Sequence, residues 1–322
     1  MEIRRLVKSG NTSFTIVLPK PWIDKNKLKK GDLVYLKENS DNTLTLSEEP
    51  KKKAEETEKT IVVGKRETIL ILRELRAAYL QDMKKIIILF PKDRKDLPQT
   101  ISDVKREITQ LVALEVLEES SRRIVAKSFL DYTEVSVSEL IRRVDNMTRS
   151  MLLDSMSCIE HPSRSQSICD RDIEVNRLVF LIFKILLTCS KDPEIARENG
   201  LTNPGIIKYW HLSFLMEEIA DIAKRVSRKI ECAINMKRKF DKKMFKAVFK
   251  EGIELYCGTM KAIYLKDYTK EVDLKLRVRS AQSKCDMYIE KCPGPLTGAM
   301  VGRLKQLLSK VKDIAKLAVY LE

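Results

Sequence analysis

Three acidic side chains lie close together in one helical stretch of the chain, at Glu217, Glu218 and Asp221. Residues four apart are neighbours on a helix, so Glu217 and Asp221 meet, and two like charges at this spacing destabilise an isolated helix. The pair therefore calls for a positive charge. Lys224 and Arg225 offer one source of it, and a divalent metal ion bound through carboxylate oxygens is the other.

The remaining inventory of reactive side chains argues against enzymatic chemistry. His161 and His211 are the only histidines, which leaves almost nothing for a Ser-His-Asp triad or a histidine-rich metal site. The seven cysteines are scattered and never spaced as Cys-x-x-Cys, so reduced thiols are expected. Gly64 is the only glycine between Gly31 and Gly200, which excludes a glycine-rich phosphate loop. We expect a protein that is not an enzyme.

The charge balance favours a polyanionic partner. The 322 residues contain 61 Lys and Arg against 46 Asp and Glu, a formal net charge of +15. No uninterrupted apolar run approaches the length of a membrane span, and the N-terminus lacks the apolar core of a signal peptide. These features predict a cytoplasmic protein without membrane insertion.

Three regions of different periodicity must position these side chains. Residues 1–49 form short strand-like runs between turn residues, and residues 50–59 form a charged linker. Residues 60–135 alternate β-branched runs with helical stretches, which predicts a small α/β domain. Residues 136–322 are amphipathic and helical, with breaks at Pro and Gly. Strands are expected at 3–7, 13–18, 33–37, 43–46, 61–63, 86–89, 115–118 and 124–129. Helices are expected at 22–27, 67–81, 98–114, 137–160, 166–190, 204–236, 241–266, 269–291 and 295–321.

The helical region contains an internal repeat. Asp-Ile-Ala-Lys at 221–224 recurs at 313–316, near the end of the third helix of each half. Each of these third helices also begins at a Pro-Gly pair, at 204–205 and 293–294. The shared start, the shared motif and the equal helix count predict duplication of a three-helix unit. The two copies would span 136–237 and 238–322.

The segment from Leu215 to Asp221 resembles the Glu-Arg-Ile-Gly-Asp segment of PhoU proteins, regulators of phosphate uptake. The segment from Asp172 to Asn176 is similar to that family's Asp-x-x-Val-Asn motif. The resemblance implies tandem three-helix bundles and an acidic site for a divalent metal ion, Zn, Fe, Mg or Mn. Its ligands would be Asp172, Glu217 and Asp221, with Glu218 and Asp313 as weaker members.

The basic segment 4–20, which contains Ser-Gly-Asn and ends in Leu-Pro-Lys, resembles the AbrB/SpoVT-like swapped-hairpin DNA-binding domains, as does the Lys-Gly-Asp that follows at 30–32. A segment this short buries too little surface to fold alone, and hairpins interleaved from two subunits solve that problem. The resemblance therefore implies a homodimer whose basic residues contact DNA. The corresponding residues are Arg4, Arg5, Lys8, Asn11, Lys20 and Lys25.

An AbrB-like head followed by PhoU-like repeats resembles the domain arrangement of archaeal phosphate-uptake regulators. The combined prediction is a multi-domain dimer with a β swapped-hairpin head, a small α/β middle domain and all-α tandem three-helix bundles. We expect it to regulate transcription of phosphate uptake by binding DNA, in response to metal or phosphate status. The alternative is an adaptor without DNA binding that regulates a phosphate ABC transporter by contacting its ATPase.

Overall fold

The computed structural model describes residues 3–10, 12–38, 43–48, 57–132, 134–267, 269 and 271–320. The contacts divide the chain into two compact units, Met1–Thr57 and Glu58–Glu322. The α/β and helical regions, which the sequence suggested as separate domains, therefore share one unit. The predicted linker 50–59 falls largely outside the described residues, and its last two residues already belong to a strand.

The first unit contains two small β-hairpins. β1 (Val7–Ser9) pairs antiparallel with β2 (Ser13–Thr15), and β3 (Tyr35–Glu38) pairs in the same way with β4 (Leu44–Ser47). A short helix, α1 (Lys20–Lys25), lies between the hairpins. Pro19 precedes it, and Pro21 is its second residue. The sequence placed the first strand at 3–7, which is wrong for most of that range. Strand pairing in the single chain begins only at Val7, because β2 is three residues long.

The second unit begins with a four-stranded sheet and two helices. Its strands are β5 (Glu58–Val62), β6 (Lys85–Leu89), β7 (Leu114–Ser120) and β8 (Arg123–Ser128). The strand order is β5-β6-β8-β7, with β5 parallel to β6 and the other pairs antiparallel. Ile61 and Ile88 from the sheet pack with Leu75 and Val104 from the helices in one apolar core. The two helices are α2 (Thr68–Leu80) and α3 (Leu97–Gln110).

The rest of the second unit is helical. The six long helices lie within a few residues of their predicted positions. Side-chain oxygens cap several of their N-termini, among them those of Ser136 and Asp241. The sequence missed one short helix, which begins at Pro193. The helices are α4 (Val137–Ser157), α5 (Arg164–Lys191), α6 (Pro193–Glu198), α7 (Asn203–Asn235), α8 (Lys242–Leu265), α9 (Glu271–Lys291) and α10 (Pro295–Tyr320). Of the helices in the described ranges, none combines the length and the apolar content that crossing a bilayer requires.

The long helices pack as two sets of three. Helices α4, α5 and α7 contact one another, and so do α8, α9 and α10. Contacts of α7 with α10 and of α4 with α8 join the sets, and one apolar core runs through both. The stripe predicted on α7, which includes Leu212, Ile219 and Val226, is buried in this core.

A buried lysine connects the α/β part to the helices. Lys184 on α5 is fully buried, and its Nζ lies 3.9 Å from the centre of the Tyr79 ring. The ammonium lies 3.3 Å from Asp82 Oδ1 and donates to Ser128 Oγ at 3.2 Å. Tyr132 also donates to Asp82, at 2.6 Å. Because a buried charge is costly unless it is paired, this network fixes the place where the two parts meet.

Candidate nucleic-acid interface and acidic cluster

Many apolar side chains of the first unit are exposed to solvent. No described residue between 3 and 48 is buried. Phe14 on β2 is 59% exposed, and Leu36 on β3 is 65% exposed. Large apolar side chains normally lie in a core, and an apolar surface of this kind marks an interaction site. The other exposed apolar residues here are Ile3, Leu6, Val7, Ile16, Val17, Leu33, Tyr35 and Leu44.

The basic residues predicted to contact DNA lie on the surface of this same unit. Arg4 and Arg5 precede β1, Lys8 lies on it, and Lys20 and Lys25 are the first and last residues of α1. All five are exposed. Lys8 lies directly opposite Phe14 in the β1–β2 ladder, so a cation and an exposed aromatic ring share one face of the hairpin. The sixth predicted residue, Asn11, lies outside the described residues.

The second unit brings two of the predicted acidic residues together around a lysine. Lys224 Nζ on α7 lies 2.6 Å from Asp172 Oδ2 on α5 and 2.8 Å from Asp221 Oδ1 on its own helix. Arg225 also pairs with Asp221. The carboxylates therefore receive their positive charge from the lysine and arginine that the spacing on α7 offered as one of two sources.

Glu217 lies beside this cluster, half-buried on α7. Burial, followed by the charges of Asp221, Asp172 and Glu218, raises the pKa of its carboxyl above the ordinary value. Because no cation pairs closely with it within the described part of the chain, Glu217 is the least compensated carboxylate of the group.

The two weaker candidate metal ligands, Glu218 and Asp313, form ion pairs outside the acidic cluster. Glu218 pairs with Lys310 on α10 at 2.7 Å, and Asp313 pairs with Lys316 on its own helix at 3.2 Å. The structure therefore groups Asp172, Glu217 and Asp221 and engages Glu218 and Asp313 elsewhere.

A lysine compensates the two aspartates of the acidic cluster. Lys224 occupies the position between the two aspartates that a cation would take. One oxygen of the pair, Asp172 Oδ1, is buried without a hydrogen-bond partner, but a single such atom is too few for a site. Over the described ranges, no group of three His, Cys, Asp or Glu side chains is arranged to hold a metal. The metal site stays a prediction.

An apolar groove that the sequence analysis missed lies next to Glu217, between α5 and α7. Its volume is about 420 Å³. Trp210 and Phe214 are about half exposed there, although both are large aromatic residues. They lie four apart on α7 and off its buried stripe, and that spacing was the signal that could have revealed the groove. The lining residues are Asn176, Val179, Phe180, Phe183, Trp210, Ser213, Phe214 and Glu217.

Comparison with known proteins supports the class predicted for the first unit. A family model described as antidote-toxin recognition MazE, a bacterial antitoxin, matches residues 7–56. The N-terminal part of the chain is thus similar to the MazE/AbrB-like antitoxin domains, and the AbrB-like prediction is confirmed at that level. No curated protein and no solved structure matched the chain.

Proposed function

We propose that the protein is a dimeric DNA-binding regulator whose N-terminal units pair between two copies and present basic side chains to a DNA duplex. The observation that carries this proposal is the exposure of the apolar residues in the first unit. Burying Phe14, Leu36 and their apolar neighbours against a second copy would give the unit the core that a single copy lacks.

Two further observations support the DNA partner. The match of residues 7–56 to the MazE antitoxin model supports a regulatory domain at this position. The exposed cations Arg4, Arg5 and Lys8 lie before or on β1, and phosphate contacts from such residues supply sequence-independent affinity for DNA. A symmetric dimer would present this set twice, at a fixed spacing on the duplex.

We assign the regulation to phosphate uptake on narrower grounds. The support is the resemblance of 172–176 and 215–221 to PhoU segments, together with the two sets of three contacting helices. Genome-wide mapping of bound sites in cells shifted between high and low phosphate tests this assignment. Sites near phosphate-transport genes that change occupancy are expected, and occupancy that ignores phosphate would overturn it.

Salt titration of DNA binding tests the interface. With about four phosphate contacts, affinity for a mixed-sequence duplex should fall about a hundredfold between about 50 and about 200 mM salt. The variant Arg4→Ala/Arg5→Ala/Lys8→Ala should lower the slope of log affinity against log salt by up to about 3.

The matched control removes three exposed lysines from the second unit, Lys239→Ala/Lys242→Ala/Lys243→Ala. Both variants lose the same net charge, so a general electrostatic effect would lower both slopes equally. Equal slopes in the two variants, or a wild type with no salt dependence, would refute the proposed interface.

A bound divalent metal ion remains part of the proposal only through the PhoU resemblance. Metal analysis of the purified protein beside Glu217→Ala/Asp221→Ala tests it. Metal lost in the variant would support the site, and the same metal content in both proteins would remove it.

A second candidate function is an adaptor that regulates a phosphate ABC transporter through protein contacts. The groove between α5 and α7 favours it, because half-exposed Trp210 and Phe214 are the residue types that anchor protein interfaces. Glu217 at its edge would receive a basic group of the partner.

Pull-down of the transporter ATPase distinguishes the two candidates. Trp210→Ala/Phe214→Ala should abolish capture. The control Val272→Ala/Leu276→Ala, which removes apolar side chains of at least the same exposure from α9, should not. Capture combined with absent DNA binding would select the adaptor, and no capture by the wild type would eliminate it.

A further inference from the structure

A cleft between α4 and α8 carries an excess of positive charge that the proposed function does not use. Its volume is about 490 Å³. Arg142, Asp145 and Arg149 line it from α4, and Lys261 and Tyr264 line it from α8. The three cations and one carboxylate give the cleft a net charge of +2. Because α4 and α8 belong to different sets, the cleft lies where the two sets of three helices meet.

The single carboxylate holds one arginine in place. Asp145 is 2% exposed and accepts from Arg149 Nε at 2.9 Å, and Arg149 Nη2 lies 2.8 Å from its other oxygen. Tyr264 also donates to Asp145, at 2.9 Å. A buried carboxylate bound in this bidentate way fixes the plane of the guanidinium, which keeps further N–H donors for a ligand.

The other two cations have no acidic partner in the described parts of the chain. No carboxylate there lies within ion-pair distance of Arg142 or Lys261. Arg142 stacks over the ring of Tyr264, with its guanidinium carbon 5.0 Å from the ring centre. The same tyrosine thus positions Arg142 through its ring and Asp145 through its hydroxyl.

We propose that this cleft binds a small, doubly charged oxyanion of the phosphate type. Guanidinium groups match the geometry of phosphate oxygens, and a lysine adds a point charge. The cleft is larger than inorganic phosphate requires, so it also has room for the body of a phosphate monoester. This ligand goes beyond the proposed function, because it gives the helical part a small-molecule site that is independent of DNA binding.

Calorimetric titration of the full chain with inorganic phosphate tests the site, beside a titration with the monoester glycerol 3-phosphate. Sodium chloride at equal ionic strength is the control for general screening. Saturable binding of either phosphate compound is expected. Tighter binding of the monoester would identify a phosphorylated metabolite as the source, and equal or tighter binding of inorganic phosphate would identify the free ion.

The test variant is Arg142→Gln/Lys261→Gln, which leaves the buried Asp145–Arg149 pair intact. We expect it to weaken phosphate binding by about tenfold or more, because it removes two charge-assisted contacts. The matched control, Arg143→Gln/Lys250→Gln, removes the same charge from the same two helices but outside the cleft lining. Binding by the control should equal that of the wild type.

A third variant alters the space and not the charge. Gly258 lines the cleft, and nothing lies within 4 Å of the point that its Cβ would occupy. Gly258→Leu is compatible with the helix and would fill part of the cleft, so phosphate binding should weaken without any change in net charge. Equal binding by the wild type and both cleft variants, or no saturable binding by the wild type, would overturn the proposal, as would an identical response to chloride.

Discussion

The two compact units of this chain treat their apolar residues in opposite ways. In the second unit, side chains such as Phe249 and Ile88 are fully buried in two regions of apolar core. In the first, Phe14 and Leu36 remain more than half exposed. Both units have regular elements and turns, so the difference is not one of local structure. It teaches that the second unit contains its own core, whereas the described residues of the first unit do not form one, and the proposed pairing of two copies rests on this difference.

The largest expected effect comes from a core truncation in the second unit. Phe249→Ala removes a fully buried ring from α8 and should lower the free energy of unfolding by about 3–5 kcal/mol. Denaturant unfolding followed by circular dichroism measures this loss.

The matched truncation in the first unit is Phe14→Ala. If its ring is buried only between copies, the cost should depend on protein concentration, as for any stability gained by association. The cost of Phe249→Ala should not depend on it. A concentration-independent cost at both positions would erase the distinction between the units.

The next effect concerns Lys184, which connects the α/β part to the helices. Burial lowers the pKa of Lys184 from 10.5 to about 8, although Asp82 partly offsets the shift. The folded state thus binds this proton more weakly than the unfolded chain does. The cost is fully present below about pH 8 and is relieved as the pH rises toward 10.5, so stability should increase through that window.

Lys184→Met should abolish this rise in stability. Over the whole window from about pH 8 to 10.5 the rise amounts to about 3 kcal/mol. Asp82 keeps Tyr132 and Lys84 as partners in the variant. Urea unfolding at several pH values between about 7.5 and 9.5 measures the slope, with Lys191→Met on the exposed end of α5 as the control. A rise that persists in the Lys184 variant would show that another group causes it.

The smallest expected effect on stability comes from the cap at a helix N-terminus. Asp241 caps α8 by accepting from the Met244 N–H at 2.9 Å, whereas α1 in the first unit follows Pro19 and has no side-chain cap. Asp241→Ala should cost about 1 kcal/mol, and Asp241→Asn should restore most of it. Thermal unfolding measures both variants, and a loss that Asn fails to restore would assign the effect to charge and not to capping.

The sequence predicted the helices well because local signals determine them. The spacing of Leu212, Ile219 and Val226 on α7, together with breakers such as Pro162 and Gly200, sets the positions of the long helices in advance. The short helix α6 escaped because six residues give too little periodicity. The first strand was misplaced because pairing with another strand, and not its own residues, decides where a strand begins.

The site was predictable only as far as its residues share one helix. The proximity of Glu217 and Asp221 was predictable because residues four apart on a helix are neighbours. Lys224 was one of the two basic residues named as a source of positive charge, and it pairs with Asp221. The ion pair between Glu218 and Lys310 depends on the packing of α7 against α10. No pattern within α7 alone predicts that packing. The cleft between α4 and α8 arises in the same way from residues more than a hundred positions apart.

The central claim, that two copies join through their first units, is tested most directly by the mass of the protein in solution. Light scattering should give twice the chain mass of 37.2 kDa for the wild type. Phe14→Asp/Leu36→Asp should give a single chain mass with unchanged helical content, while Ile69→Asp, at an exposed apolar position of the second unit, should remain a dimer. A wild type that is monomeric at all concentrations, or a dimer that survives both charges in the first unit, would contradict the account.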